Sequence, residues 1–316
     1  MLIEHDLTVV SVPPHDDVGA LGRASLLPSA TDLLWPQADP PDTRCYGLLD
    51  ATNVTFLADR LEQSALPAAC LYDDGRGERL TASAPWLAEL RPQSRFVREL
   101  FTPAAEDANP RFLLNGRPGI LLISRANLPT LRHHLRHYTI LRDETGASVL
   151  FRLQEPGFLP ALLDKSAPPE IAAFFKHVDM VIHWRPGFRD HTWEFLTARP
   201  GAALPPAPAH SGPVTVLGPV QRRALRDALY ERKARAMAMA HAEDPEDRAA
   251  RSAIYHRLLC SGYDGEPTFR EGYEVVARLS RDALLAFWRV IESEKYSLRF
   301  VFLSFAEANG LEKVMS

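Results

Sequence analysis

The sequence predicts an α/β fold, with a mixed sheet and covering helices in an N-terminal lobe, followed by a small all-helical C-terminal lobe. Strand-like and helix-like patterns alternate from residue 45 to residue 164, which is typical of a sheet covered on at least one face. Two segments near residue 190 alternate in polarity as a β-hairpin does, and strand patterns cease after a proline-rich stretch. The chain has 316 residues, which is enough for the cores of one or two domains.

The elements of the N-terminal lobe follow one another in order. The apolar run CYGLLDA (45–51) predicts a buried strand, and the next segment, 53–64, has apolar residues at helical spacing. Residues 178–184 and 191–198 are typical of an antiparallel hairpin, which closes the lobe near residue 200. The other predicted elements are strands over 68–74, 84–90, 119–124 and 147–153, and helices over 94–101, 128–141 and 156–164.

Composition divides the chain into four predicted parts. An extension rich in proline and aspartate precedes the first regular unit and holds one possible short strand at residues 7–12. The stretch PGAALPPAPAHSGP (200–213) has five prolines and no periodic apolar face, which is the character of a stiff linker. The parts are an N-terminal extension (1–43), an α/β domain (44–200), a proline-rich linker (201–213) and a helical lobe (214–316) with helices over 219–241, 245–260, 270–279 and 280–308.

Charge and cysteine usage predict a cytoplasmic protein. The formal net charge is −4, so the chain as a whole has no attraction for nucleic acid or for an anionic membrane. Cys45, Cys70 and Cys260 form no CxxC pair and leave an odd thiol, which favours a reducing compartment. The N-terminus is acidic where a signal peptide is basic, and no stretch reaches the roughly 18 apolar residues of a membrane span.

The segment TLRHHLRHY (130–138) raises the question of a metal site. His133 and His137 stand four residues apart, which places two imidazoles on one helix face as in half of a zinc site. However, leucines occupy the opposite side of the predicted helix, and Arg132 and Arg136 beside the histidines repel a dication. The pattern favours a solvated basic face, and a metal-dependent hydrolase built on His133, His137 and a third residue is the alternative.

No other motif predicts catalysis. The sequence contains no GxSxG, Walker A loop, GxGxxG or HExxH, so the common signatures of hydrolases, nucleotide-binding proteins and zinc proteases are missing. We therefore expect a protein that is not an enzyme and that needs no cofactor.

Two further features are candidate binding or structural elements. The segment 221–235 holds six basic residues against two acidic ones, among them Arg222, Arg226 and Lys233, and such a stripe suits an acidic partner or a solvated helix face. A regulatory module that uses this stripe on an anionic ligand or nucleic acid is a third reading of the function. Arg152 lies in an apolar segment where an unpaired charge is costly, so we expect a carboxylate partner, for which Glu155 is a candidate.

The order of six segments resembles a known family. The segments are YGLLDA (46–51), ACLYDD (69–74), APWLAEL (84–90), GILLIS (119–124), LPTLRHHLR (128–136) and VLFRLQEP (149–156). Together they resemble the adaptor chaperones of bacterial type VI secretion over roughly residues 45–165. That family usually has LxxLRRHLRR in the helix, so His133 and His137 stand where basic residues are common. It usually has FRFYDP after the next strand, where this chain has FRLQEP with Leu153, Gln154 and Glu155.

The resemblance implies a non-enzymatic cytoplasmic protein with two protein partners. Such adaptors hold a toxic effector, often one with a long N-terminal region or a PAAR tip domain, and load it onto the VgrG spike before secretion. A chain of two lobes with localised charge suits this task, because each lobe can offer a separate surface and linked interfaces raise the effective concentration for assembly.

Overall fold

A seven-stranded antiparallel sheet forms the centre of the first of two units in the computed structural model. The structure describes residues 2–11, 24–35, 42–72, 83–104, 110–208, 216–260, 274–292 and 298–311. The first unit comprises Met1–Gly187 and His191–Leu225, and the second comprises Phe188–Asp190 and Arg226–Ser316.

The described strands form two sheets in the first unit. The strands are β1 (Ile3–Ser11), β2 (Arg44–Asp50), β3 (Ala68–Cys70), β4 (Pro85–Glu89), β5 (Gly119–Ser124), β6 (Ile140–Asp143), β7 (Ser148–Leu150), β8 (Met180–Pro186), β9 (Thr192–Pro200) and β10 (Val216–Leu217). The large sheet has the order β1-β9-β8-β5-β2-β4-β3 with every neighbouring pair antiparallel. The small sheet has the order β10-β6-β7, in which β10 is parallel to β6.

Helices cover both faces of the large sheet. The helices are α1 (Leu27–Leu34), α2 (Leu57–Gln63) and α3 (Arg95–Leu100) on one face, and α4 (Leu128–Arg136), α5 (Phe158–Leu163) and α6 (Pro168–Phe175) on the other. Successive residues of a strand point to opposite faces, so Cys45 and Leu49 join the first core and Tyr46 and Leu48 join the second. All six residues of β5 are buried for this reason, which explains the unbroken apolar run GILLIS.

The predicted α/β fold class is confirmed. The small sheet is the mixed one, because β10 is parallel to β6 and β7 is antiparallel to it.

Two of the predicted elements were too long. The helix predicted over 128–141 ends at Arg136, because Ile140 leaves it to pair with Leu150 in the small sheet. The strand predicted over 147–153 ends at Leu150, so Arg152 follows the strand instead of lying within it. The residues from 73 of the strand predicted over 68–74 lie outside the described residues.

The N-terminal segment is part of the large sheet. The short strand predicted at residues 7–12 is longer in the structure, and β1 pairs with β9 along its whole length, from Ile3 opposite Pro200 to Ser11 opposite Thr192. Residues 12–23 and 36–41 of the predicted extension lie outside the described residues.

The second unit is helical in its described part. Its helices are the later turns of α7 (Pro219–His241), α8 (Pro245–Cys260), α9 (Arg281–Glu292) and α10 (Leu298–Ala308). They enclose buried side chains such as Tyr255 and Phe287. Arg251 is also buried, where it donates to the carbonyl oxygens of Val276 and Leu279 and pairs with Asp247. No helix in the described residues combines the length and apolar composition that a membrane crossing requires.

Candidate partner-binding surface

Helix α4 is held to the large sheet by its apolar side. Asn127 caps the helix by accepting a hydrogen bond from the backbone N–H of Thr130 at 3.0 Å. Leu131 and Leu135 stand one turn apart and are fully buried, and Tyr138 after the helix is buried with them. Because this side is buried, the residues on the opposite side of the helix remain in contact with solvent.

The opposite side of α4 carries the basic residues. His133 and His137 are exposed, and their rings meet edge to face with 4.9 Å between the ring centroids. Arg132 is half-buried and its Nε donates to the carbonyl oxygen of Cys70 at 2.8 Å, so this guanidinium anchors α4 to β3. Arg136 is also half-buried. The two histidines are therefore the most accessible members of the basic face.

His134 differs from its neighbours because it is half-buried between α4 and α6. Its Nε2 lies 2.8 Å from the carbonyl oxygen of Phe174, and its ring stands edge-on to Tyr138 and His177. Loss of hydration is the main cause that lowers the pKa of His134 to about 4, and the positive charge of Lys176 lowers it further. The ring is neutral at pH 7 and donates its Nε2–H to Phe174.

We expect the free energy of unfolding to fall as the pH drops from about 6.5 to about 4, partly because of His134. The folded state has the lower pKa, so the unfolded chain binds the proton first and the folded state loses its advantage in this range. The difference corresponds to roughly 3 kcal/mol. In urea unfolding at pH 7 and at pH 4, His134→Gln is therefore expected to lose less stability than the wild type.

His133→Gln is the matched control for this measurement. It removes an imidazole from the adjacent position of α4, but that ring is exposed and is hydrated before and after unfolding. The control is expected to keep the wild-type dependence on pH. A pH dependence of His134→Gln equal to that of the wild type contradicts the assignment.

Asp50 and Arg152 form an ion pair at the end of β2. The Asp50 side chain is only 1% exposed, whereas that of Arg152 is 41% exposed, and Nη2 of Arg152 donates to Oδ2 of Asp50. Oδ1 of Asp50 accepts from the backbone N–H and the hydroxyl of Thr52, at 3.0 and 2.8 Å. The predicted partner Glu155 is a second and longer contact, with 3.8 Å between its Oε2 and Nε of Arg152.

The main partner of Arg152 was missed in the sequence because it lies 102 residues earlier. A signal was present: Asp50 ends the run of buried residues 45–50 in β2, and a carboxylate in such a place needs a positive partner. This signal indicates that Asp50 needs a cation, but it does not identify Arg152 as that cation.

The outer face of the small sheet carries three exposed apolar side chains, those of Ile140, Leu150 and Val216, together with exposed Arg142 and Ser148. Ile140 and Leu150 stand opposite each other in the β6-β7 pair, with 57% and 61% of their surfaces exposed, and Val216 is 41% exposed. The inner face carries Leu141 and Leu217, which are buried in the core beneath α4. Sequence reasoning missed this surface because the apolar residues of a strand are expected to face the core.

Chain connectivity places a histidine and an ion-paired arginine near this outer face. His137 precedes Ile140 by three residues, so their Cα atoms lie within about 11 Å, and Arg152 follows Leu150 within about 7 Å. An exposed apolar patch with polar groups at its margin is typical of protein-binding surfaces. The outer face, the basic end of α4 and the Asp50–Arg152 pair together form the candidate partner-binding surface.

The predicted basic stripe over 221–235 is divided in the structure. Arg222 lies in the first unit and pairs with Glu144, with 2.6 Å between Nη2 and Oε2. Arg226 and Lys233 lie in the second unit, where Arg226 is exposed and Nζ of Lys233 is 5.8 Å from the ring centroid of Tyr230. Arg235 is buried against the ring of Phe188. These residues therefore do not form one continuous free stripe.

The histidine pair of α4 finds no further metal ligand among the residues that the structure describes. In that part of the chain, no group of three or more histidine, cysteine, aspartate or glutamate side chains is arranged to hold a metal ion. Cys45 and Cys70 are buried thiols, and burial together with the nearby Asp227 raises the pKa of Cys260.

Residues 45–173 match the sequence model of a family described as "Domain of unknown function (DUF4123)". The matched segment is less than half of the chain and runs from β2 into α6, so it contains α4, the Asp50–Arg152 pair and both Ile140 and Leu150. This family is associated with adaptors of type VI secretion effectors. No curated protein and no solved structure matches the chain.

Proposed function

We propose, on the premise that residues 45–173 are a DUF4123 domain, that this chain is a non-enzymatic, cytoplasmic adaptor chaperone of bacterial type VI secretion. It binds a toxic effector and loads it onto the VgrG spike. The match over residues 45–173 is the observation that carries this proposal. An effector that bears a PAAR tip domain is a suitable cargo.

The candidate partner-binding surface supports the proposal. Ile140 and Leu150 lie inside the matched segment and are large apolar residues that the first unit leaves in water. Covering them with a partner removes apolar surface from water and is favourable by about 25 cal/mol for each Å². Exposed His133 and His137 at the margin suit a partner with acidic groups around an apolar centre.

The division of the chain into two units supports an adaptor with two partners. Each unit has its own buried core and its own surface. Two modest interfaces on one chain raise the effective concentration of the effector near the spike without a strong contact at either.

The experiment is a bridging assay with the full chain. The toxin encoded beside this chain is tagged and co-expressed with the neighbouring spike protein, with and without the chain. We expect the toxin to recover the spike only when the chain is present. A toxin that never recovers the spike through the chain overturns the proposal.

The double substitution Ile140→Asp and Leu150→Asp is expected to lower the recovery of the spike at least tenfold. Two carboxylates on the outer face of the small sheet must be dehydrated when a partner covers it, which is costly. The matched control is Phe56→Asp, because Phe56 is 75% exposed and precedes α2 on the other face of the large sheet. Equal recovery by the double variant and the control excludes the small sheet from the interface.

A further inference from the structure

Strand β1 lies at an edge of the large sheet and pairs only with β9 in the order of strands. The backbone N–H of Gly201 donates to the carbonyl oxygen of Leu2 at 2.9 Å, and the same register continues along β1. Hydrogen-bonded pairs alternate with non-bonded pairs in an antiparallel ladder. The even residues of β1 therefore face β9, whereas Leu7 and Val9 direct their N–H and C=O groups away from it.

The same two residues also expose their side chains. Leu7 is 56% exposed and Val9 is 59% exposed. Both side chains lie on the same face of the sheet as His5, whose Nε2 is 2.8 Å from Oδ1 of Asp164 at the end of α5. Among the described residues, no donor or acceptor pairs with the outward backbone groups of Leu7 and Val9. Backbone and side chain are thus available together at these positions.

The two halves of β1 differ in how the edge is protected. Glu4 and Asp6 are charged, and charge on an edge strand discourages pairing with another chain. The half from Leu7 to Ser11 (LTVVS) is uncharged and rich in β-branched residues, which favour strands. An unprotected edge of this kind is a template for strand addition.

We infer that an extended segment of the effector pairs with Leu7–Ser11 and adds a strand to the large sheet. This inference rests on the proposed function, since it names the effector as the source of the strand. The outward groups of Leu7 and Val9 supply main-chain hydrogen bonds, and their side chains select apolar residues at alternate positions of the segment.

The charge pattern favours a short segment over a second copy of this chain. Two copies paired along the whole of β1 would set His5 opposite Val9 and Glu4 opposite Val10. Such a pairing places an imidazole and a carboxylate against apolar side chains, one of which, Val10, is already buried in the core beside α1. A segment that covers only the uncharged half avoids these contacts.

The test is capture of the co-expressed toxin by the full chain carrying Val9→Lys or Leu7→Lys. Each variant is expected to reduce capture at least tenfold, because the charge blocks strand pairing. Val9→Pro is a second variant that removes one outward N–H while leaving the hydrogen bonds to β9, and it is expected to cause the same loss. Val220→Lys is the matched control, since Val220 in α7 is also valine and also 59% exposed.

Circular dichroism and the unfolding midpoint first establish that the variants are folded. The outcomes of the capture experiment then test the inference and the proposed function separately. Wild-type capture of the toxin by Val9→Lys and Val9→Pro overturns the inference and leaves the proposed function standing. Failure of the wild-type chain to capture the toxin overturns the proposed function, and the inference with it. Light scattering that finds a wild-type dimer, converted to a monomer by Val9→Lys, identifies a second copy as the occupant and also overturns the inference.

Discussion

Gly119→Ala is expected to destabilise the first unit strongly. Gly119 begins β5 with a φ of +148°, in a region that residues with a side chain rarely adopt. A Cβ at this position would lie 2.0 Å from the carbonyl oxygen of Leu48 and 2.9 Å from Cα of Leu49. Both atoms belong to the backbone of β2 in the middle of the sheet, so neither can move without breaking the β2-β5 pairing.

The expected loss exceeds about 4 kcal/mol in the free energy of unfolding, a size reached only by a few kinds of substitution. Guanidinium unfolding followed by tryptophan fluorescence measures it, since Trp86, Trp184 and Trp193 belong to the first unit. Gly116→Ala is the control, because the nearest atom to its added Cβ is 3.9 Å away. An unfolding midpoint for Gly119→Ala equal to that of Gly116→Ala contradicts the prediction.

Arg152→Ala is expected to lower the free energy of unfolding by about 3 kcal/mol. The substitution leaves the carboxylate of Asp50, which is 1% exposed, without its positive partner. Breaking a buried ion pair by removing one member costs about 3–5 kcal/mol. We expect the lower end of that range because the Arg152 side chain is 41% exposed, so water already screens part of the attraction.

The matched control for Arg152→Ala is Arg222→Ala. Arg222 also forms an ion pair, with Glu144, but the two side chains are 45% and 44% exposed. An ion pair of this kind contributes about 0–1 kcal/mol. Urea unfolding of both variants compares the two sites directly. Equal losses of unfolding free energy in the two variants would mean that removing the partner of the buried Asp50 carboxylate costs no more than breaking an exposed ion pair.

The two predictions with the largest expected effects concern the centre of the large sheet and not the exposed surfaces. Gly119 and Asp50 act on the centre of the large sheet, at β5 and at the end of β2. Ile140, Leu150, Leu7 and Val9 lie on exposed surfaces, where substitutions usually change stability by less than about 0.5 kcal/mol. The substitutions expected to affect folding and those proposed to affect binding therefore lie at separate positions.

Helix α4 illustrates how much of the site was predictable. Leucines at helical spacing placed Leu131 and Leu135 in the core and His133 on the solvent side, and the structure has this arrangement. The end of the helix was predicted too late, because Ile140 continues the apolar pattern. Only its pairing with Leu150 in another strand shows that it belongs to the small sheet.

Local patterns in the sequence were sufficient for the α/β class, the buried strands β2 and β5, and the hairpin of β8 and β9, because apolar periodicity records burial within a single element. Tertiary structure alone decided that β1 pairs with β9, that Asp50 meets Arg152, and that Ile140 and Leu150 face water. These features join segments far apart in the chain, and whether an apolar side chain is covered depends on which distant element packs above it.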